Sequence, residues 1–403
     1  MGSKLIAGAT CLLFLLLSVS KAQGAIFGTK KFDVKKYGAK ADGKTDDSQA
    51  INSAWQDACE SKIASTVVIG KGKYMVGPVK FQGPCKNPIT VKVQGNIKAP
   101  VDIDRFQLQD GWIVFKNING LQVFGGGTFD GQGSIHWSKY NCVRTGRCKS
   151  LPSNIRFTSL SNSEIQEITS LNSKFYHMTV FNCNNITLEN VVINAPETSL
   201  NTDGIHVGRS TEVKITGAKI KTGDECVSIG EGSQQVAIER VTCGPGHGIS
   251  IGSLGRYHDE QPVVGVKVRN CRLTSTTNGI RIKTWPASPT GIASNLHFED
   301  ITMNNVSNPI HINQQYCPYN KCQAKIPSRV KIHSVSFKNI RGTSATKLAV
   351  KLICSKGVPC QNVSLGNINL KYNGSQDKTT SECVNVKPRI LGKMVPPGCV
   401  TSV

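Results

Sequence analysis

The chain has 403 residues, 48 Lys and Arg against 26 Asp and Glu, a net charge of +22, and 15 cysteines. So basic a chain suits an acidic partner, yet it carries no recognisable nucleic-acid-binding module and no apolar run long enough to span a bilayer. Its length would accommodate two domains, but repetition without a low-complexity linker points to one elongated domain over residues 25–403.

Residues 1–24 read as a signal peptide, with Lys4, an apolar run from Leu5 to Val19, and small residues around Ala22 and Gly24. Its removal, with Lys4 and Lys21, leaves about +20 (22 − 2). Next come Asp46-Asp47-Ser48 and then Ala50, Ile51, Ala54, Trp55 and Ala58, an N-cap signal followed by a helical apolar stripe. A helix here would cap the open edge of a stack of strands, which otherwise invites pairing with another chain. The glycine-rich run Gly125 to Gly133 lacks the Lys-Ser/Thr and amphipathic helix of a phosphate loop, so a tight turn is expected.

From there the chain repeats. Ile155-Arg156-Phe157, His177-Met178-Thr179-Val180, Ile186-Thr187-Leu188 and Val191-Val192-Ile193 alternate apolar and polar residues, as do Val213-Lys214-Ile215, Val236-Ala237-Ile238, Val266-Lys267-Val268, Leu296-His297-Phe298 and Val330-Lys331-Ile332. The strings Asn201-Thr202-Asp203-Gly204, Gly223-Asp224-Glu225-Cys226 and Gly246-His247-Gly248 precede Ile205, Val227 and Ile249, each 22 residues after the last. That period belongs to a solenoid of stacked coils. In this register Asp203, Glu225 and His247 form one vertical ladder, with Asp224 beside the middle rung. Carboxylates clustered within reach of one sugar ring are a hydrolase arrangement. The interval grows to 31 at Ile280 and 30 at Ile310, which places inserted loops beside the ladder. Periodicity fades from about Gly374, where Pro388, Pro396 and Pro397 occur and Cys383 and Cys399 are expected to tie the end down.

One cysteine, Cys11, falls in the signal segment, and the even remainder suits an oxidising compartment. Pairs expected from closeness in sequence are Cys142 with Cys148, Cys317 with Cys322, Cys354 with Cys360, Cys59 with Cys85 and Cys226 with Cys243; Cys183 and Cys271 are left as buried thiols. No Cys-x-x-Cys or His pair suggests a metal site, no cofactor is implied, and a monomer is expected. Sequons at Asn185, Asn305, Asn362 and Asn373 are candidate glycosylation sites. An anionic extracellular polysaccharide is the partner these features fit.

The strings Asn201-Thr202-Asp203-Gly204, Gly223-Asp224-Glu225-Cys226, Gly246-His247-Gly248 and Arg281-Ile282-Lys283, in that order and spacing, resemble the signature of the pectin-degrading polygalacturonases. The likeness covers most of the mature chain, including Asp42-Gly43-Lys44-Thr45-Asp46-Asp47. Ser253-Leu254-Gly255-Arg256-Tyr257, Asn308-Pro309-Ile310 and Tyr316-Cys317-Pro318 are most similar to the plant exopolygalacturonases. The resemblance implies a right-handed parallel β-helix, secretion to the cell wall, and inverting hydrolysis of α-1,4-linked galacturonic acid in pectin.

Inverting hydrolysis needs a protonated carboxyl at the glycosidic oxygen and an ionised carboxylate holding water on the opposite face. Asp224 is assigned as the acid, by resemblance and because neighbouring charges disfavour its ionisation; Asp203 and Glu225 then orient and deprotonate the water. His247 is expected to hydrogen-bond the acid or a substrate hydroxyl. Arg281 and Lys283, two apart on one strand, share a face and suit a galacturonate carboxylate. Asn201 either bonds substrate or closes the turn.

The sequence departs from the family at Glu225, where Asp is usual, and at Ser199-Leu200, where Ser-Pro is common. One extra methylene displaces a carboxylate by roughly 1 Å, enough to cost about 100-fold in rate. Related rhamnogalacturonan hydrolases use Asp-Glu here, so two alternatives stand beside the polygalacturonase reading: a weakened pectin-binding relative and a rhamnogalacturonan hydrolase. A pectate lyase, the same solenoid working with calcium, is a further contrast.

Overall fold

The structure, a computed structural model, describes residues 29–106, 111–137, 151–374 and 378–399. The middle coils share one plan. In Thr211–Thr216, Val213 and Ile215 turn inward while Lys214 faces water, and the next coils repeat this with Val236 and Ile238, then Val266 and Val268. After such a strand comes one left-handed residue, Asn190, Gly217, Arg240, Asn270 or Asn339, with φ between 51° and 66°. Asn and Gly tolerate this conformation best, which explains the Asn and Gly punctuation of the repeat. A short third strand such as Lys219–Lys221 follows, and the chain turns into the next coil.

Stacking these coils gives a right-handed parallel β-helix. One sheet of eleven strands runs from Val79–Gln82 to Thr380–Val384, and the other two strands of each coil form a longer sheet that bends at the left-handed residue. The 22-residue alignment holds: Ile205 pairs with Val227 and Val227 with Ile249. Across the longer intervals Ile249 pairs with Ile280 and Ile280 with Ile310. All five are buried, each worth about 1.5–3 kcal/mol of apolar burial. Phe81, Phe115 and Phe157 add an aromatic column with centroids 4.6 and 5.5 Å apart.

The expected capping helix is Ser48–Cys59, with Ala50, Ile51, Ala54, Trp55 and Ala58 buried against the first coils. The Trp55 indole donates to the carbonyl of Gln82 at 3.1 Å. Its capping carboxylate is that of Asp46, which accepts from the Ser48 backbone N–H at 3.0 Å, whereas Asp47 accepts from the backbone of Lys40 and Ala41. At the other end the repeat outlasts its expected limit near Gly374. Thr380–Val384 still pairs with Leu348–Ile353, and Arg389–Val395 with Gln361–Tyr372; backbone pairing carries the coil where side-chain alternation has gone.

Disulfides join Cys59 with Cys85, Cys226 with Cys243, Cys317 with Cys322, Cys354 with Cys360 and Cys383 with Cys399, and Cys183 and Cys271 are buried thiols. The Cys142 and Cys148 pair and the signal segment lie outside the described residues. In the Gly125 to Gly133 run, Gly125 has φ +126° and a Cβ there would meet the Val93 carbonyl at 2.4 Å, so the run is the tight turn expected. Among the described residues no helix is long and apolar enough to cross a membrane. Asn185, Asn305, Asn362 and Asn373 are all exposed.

Candidate active site

Asp203, Glu225 and His247 stand at the same corner of three successive coils, each two residues before a paired core position. The coils approach closely there: Gly204 N–H donates to the Glu225 carbonyl and Cys226 N–H to that of Gly248, both at 2.8 Å. A Cβ on Gly204 would lie 2.4 Å from the Cys226 carbonyl oxygen, so the glycine after Asp203 is a packing requirement. The Cys226–Cys243 disulfide anchors the middle rung from behind.

The three carboxyls occupy different electrostatic settings. Asp224 is pushed up to about 6, first by burial and then by the Glu225 charge; its Oδ1 accepts from the Glu225 backbone N–H and meets His247 Nδ1, both at 2.9 Å. Asp203, buried, is pushed well up by burial and by the charges of Asp224 and Glu225. Burial opposes the charge on Glu225 too, but the Lys283 ammonium bonded to its Oε1 outweighs it and holds the carboxyl far below its ordinary range. The His247 imidazole is raised, chiefly by its bond to Asp224. Asp224 and Asp203 are thus both pressed towards keeping a proton while Glu225 stays ionised, and the contrast between Asp224 and Glu225 is the pairing acid–base chemistry needs.

Arg281 and Lys283 share a face of Asn278–Thr284 as expected, but they are engaged differently. The Lys283 ammonium is buried and paired with Glu225 across 58 residues of sequence. Arg281 has a buried Nε without a protein partner, and its guanidinium lies 5.0 Å from the Tyr316 ring centre, which also covers Lys283 at 5.2 Å. The inserted turns beside the ladder bring in this cover: Trp285 meets Tyr316 edge-on at 5.5 Å, and Arg256 lies 5.3 Å over Trp285. Asn201 has φ +54°, the conformation of a residue closing a turn.

Carboxylate and imidazole atoms of Asp224, Glu225 and His247 lie within 4.8 Å of one another, donors of the kind that ligate cations. The Lys283 ammonium already supplies the positive charge on Glu225, so these residues do not fit a metal centre.

Comparison with known proteins decides the lineage. Residues 59–395 match the model of the glycosyl hydrolases family 28. The chain belongs to that family. As a family 28 glycoside hydrolase it is 57% identical over 368 residues to an exopolygalacturonase of Arabidopsis thaliana, covering 91% of this chain and 82% of the relative. It is 52% identical over 366 residues to an exopolygalacturonase of Platanus acerifolia, with 91% and 96% covered. Among solved structures, an exopolygalacturonase from Thermotoga maritima shares the fold with a TM-score of 0.72 at 18% identity over 91% of this chain and 92% of that one. An endo-xylogalacturonan hydrolase from Aspergillus tubingensis superposes with a TM-score of 0.77 at 25% identity, with 89% and 95% covered.

Three residues at this family 28 site went unassigned from sequence: Tyr316, His206 and Ser228. Ser228 Oγ donates to Asp203 Oδ2 at 2.6 Å, and His206 Nδ1 lies 2.8 Å from Ser228 Oγ. For His206 and Ser228 the signal was present, since each directly follows an aligned core position and 228 − 206 equals the 22-residue period.

Proposed function

We propose that the chain is a secreted cell-wall enzyme that hydrolyses α-1,4-galacturonosyl linkages of polygalacturonate with inversion, acting from the chain end. The observation that carries this reading is the pairing of a carboxyl raised to about 6, Asp224, with an ionised neighbour, Glu225, beside the unpartnered Arg281 Nε. Asp224 protonates the glycosidic oxygen as general acid. Glu225 and Asp203 hold the attacking water, His247 steadies Asp224, and Arg281 receives a galacturonate carboxylate by bidentate hydrogen bonding. Lys283 acts mainly through Glu225. The longer Glu225 side chain reaches this buried ammonium, which supports an active base over a disabled one.

Asp224 and Glu225 lie closer than the roughly 6.5–9.5 Å that separates a simple inverting pair. A water held jointly by Asp203 and Glu225, instead of one slotted between Asp224 and Glu225, fits inversion to this spacing. Chain-end action is supported by the exopolygalacturonase relatives, at 57% and 52% identity. Export is supported by five disulfides among the described residues, and the anionic polymer by the +22 charge.

The test is a time course of products from polygalacturonic acid for the wild type and Glu225→Asp. Monomer alone from the outset supports chain-end hydrolysis, and oligomers appearing first would refute it. A silent wild type with an active Glu225→Asp variant would mark a pectin-binding relative, and turnover of rhamnogalacturonan alone would replace the substrate.

A further inference from the structure

His206 and Ser228 are register partners on adjacent site strands, and their side chains continue into the carboxylate ladder. A serine hydroxyl has a single proton. In this structure it points to Asp203 Oδ2 at 2.6 Å, so Ser228 Oγ meets His206 Nδ1, 2.8 Å away, as an acceptor. That requires a hydrogen on Nδ1. The His206 ring also lies 5.1 Å from Tyr176, and burial, with Arg156 and Lys283 nearby, lowers its pKa to about 4. The imidazole is therefore neutral in the Nδ1–H tautomer, and its hydrogen bond locks the serine as a donor to Asp203.

We propose that His206 and Ser228 are positioning residues, a two-step hydrogen-bond relay that fixes one oxygen of Asp203 and favours its ionised, water-orienting form. This rests on the assignment of Asp203 as a water-orienting carboxylate. The need for such a device follows from the surroundings. Burial, Asp224 and Glu225 all press Asp203 to keep a proton, while the Ser228 hydroxyl and the Lys283 charge act on the opposite side. Around His206 the charged groups are Arg156, Lys283 and Glu225. A hydrogen bond to an ionised group is worth about one to two pKa units, and the Ser228 bond sets that much against the pressure on Asp203 to keep its proton.

The experiment compares kcat and KM against pH for the wild type, Ser228→Ala, Ser228→Thr, His206→Asn and His206→Gln on polygalacturonate. Losing the donor raises the pKa of the acidic limb of kcat/KM by about one to two units, and kcat falls more than KM changes, as expected for a group acting through the base. Ser228→Thr keeps the hydroxyl and the profile. Asn places its amide near Nδ1 and retains the wild-type limb, while Gln reaches toward Nε2 and behaves like Ser228→Ala. An unmoved acidic limb in Ser228→Ala, or Gln outperforming Asn, would overturn the relay. Nitrogen NMR of His206 and carboxyl-carbon titration of Asp203 judge it without turnover. The relay requires the Nδ1–H tautomer and a higher Asp203 pKa in Ser228→Ala; an Nε2–H tautomer or an unchanged Asp203 contradicts it. An enzyme silent on polygalacturonate, with these NMR results intact, would refute the functional assignment and leave the relay standing.

Discussion

Two outward columns run along this β-helix, built by the same alternation on the same core. On the longer sheet, Lys214, Ala237, Lys267 and His297 stand in register, and all but Ala237 are exposed to water. On the eleven-stranded sheet, His206, Ser228, Ser250 and Arg281 stand in register, and Ser228 and Ser250 are buried. Strand pattern does not separate the two. What differs is cover: the corner carrying Asp203, Glu225 and His247, and the inserted turns bearing Trp285 and Tyr316, close over the second column. Desolvation there turns ordinary side chains into a hydrogen-bonded, charge-shifted array, whereas the lysines of the first column keep their charges in water.

The contrast is sharpest at Asp224. Asp224→Asn lowers kcat/KM by about 10²–10⁴-fold, the usual worth of a positioned acid, and leaves the fold intact by circular dichroism; retained activity would place the acid elsewhere. Next in size is Lys283→Met, which strands a buried Glu225 charge. Loss of one partner of such a pair costs about 3–5 kcal/mol, read as a lower unfolding midpoint in urea together with impaired turnover. An unchanged midpoint would mean that the pair is solvated.

A smaller effect follows from the raised pKa of Asp224. Its proton is favoured by folding, so this contribution to stability is complete below the ordinary carboxylate range and fades as pH rises through about 6. Asp224→Asn cannot lose it, and its melting temperature should fall less than that of the wild type between pH 4 and 7. On the proposed role of Asp224 as general acid the same titration removes it, and wild-type turnover is expected to decline over that rise. Smallest of all is the double change Lys214→Ala with Lys267→Ala on the exposed column. It should shift stability by no more than about 0.5 kcal/mol and leave kcat unchanged; a large loss of kcat would erase the distinction between the columns.

Much of this was legible in the chain. The constant 22-residue interval from Ile205 to Ile249 fixed the ladder of Asp203, Glu225 and His247, because a coil of fixed length stacks identical positions. The lengthened intervals located the inserted turns but not their shape, so Tyr316 over Arg281 and Lys283 emerged only in three dimensions. The Lys283–Glu225 pair depends on two long side chains meeting between non-adjacent coils, which no period encodes. Glu225 looked like a defect for the same reason, since the value of its extra methylene lies in what it reaches. At the C-terminal end the pairing of Arg389–Val395 was hidden because mostly exposed residues carry no apolar alternation.

The most direct test of the account is proton NMR of the first sugar released from polygalacturonate, recorded before mutarotation, with Asp224→Asn alongside. Asp224 as acid, with water held by Asp203 and Glu225 on the opposite face, predicts the β-anomer from the wild type and almost no product from the variant. An α-anomer as first product, or undiminished release by Asp224→Asn, would contradict the account.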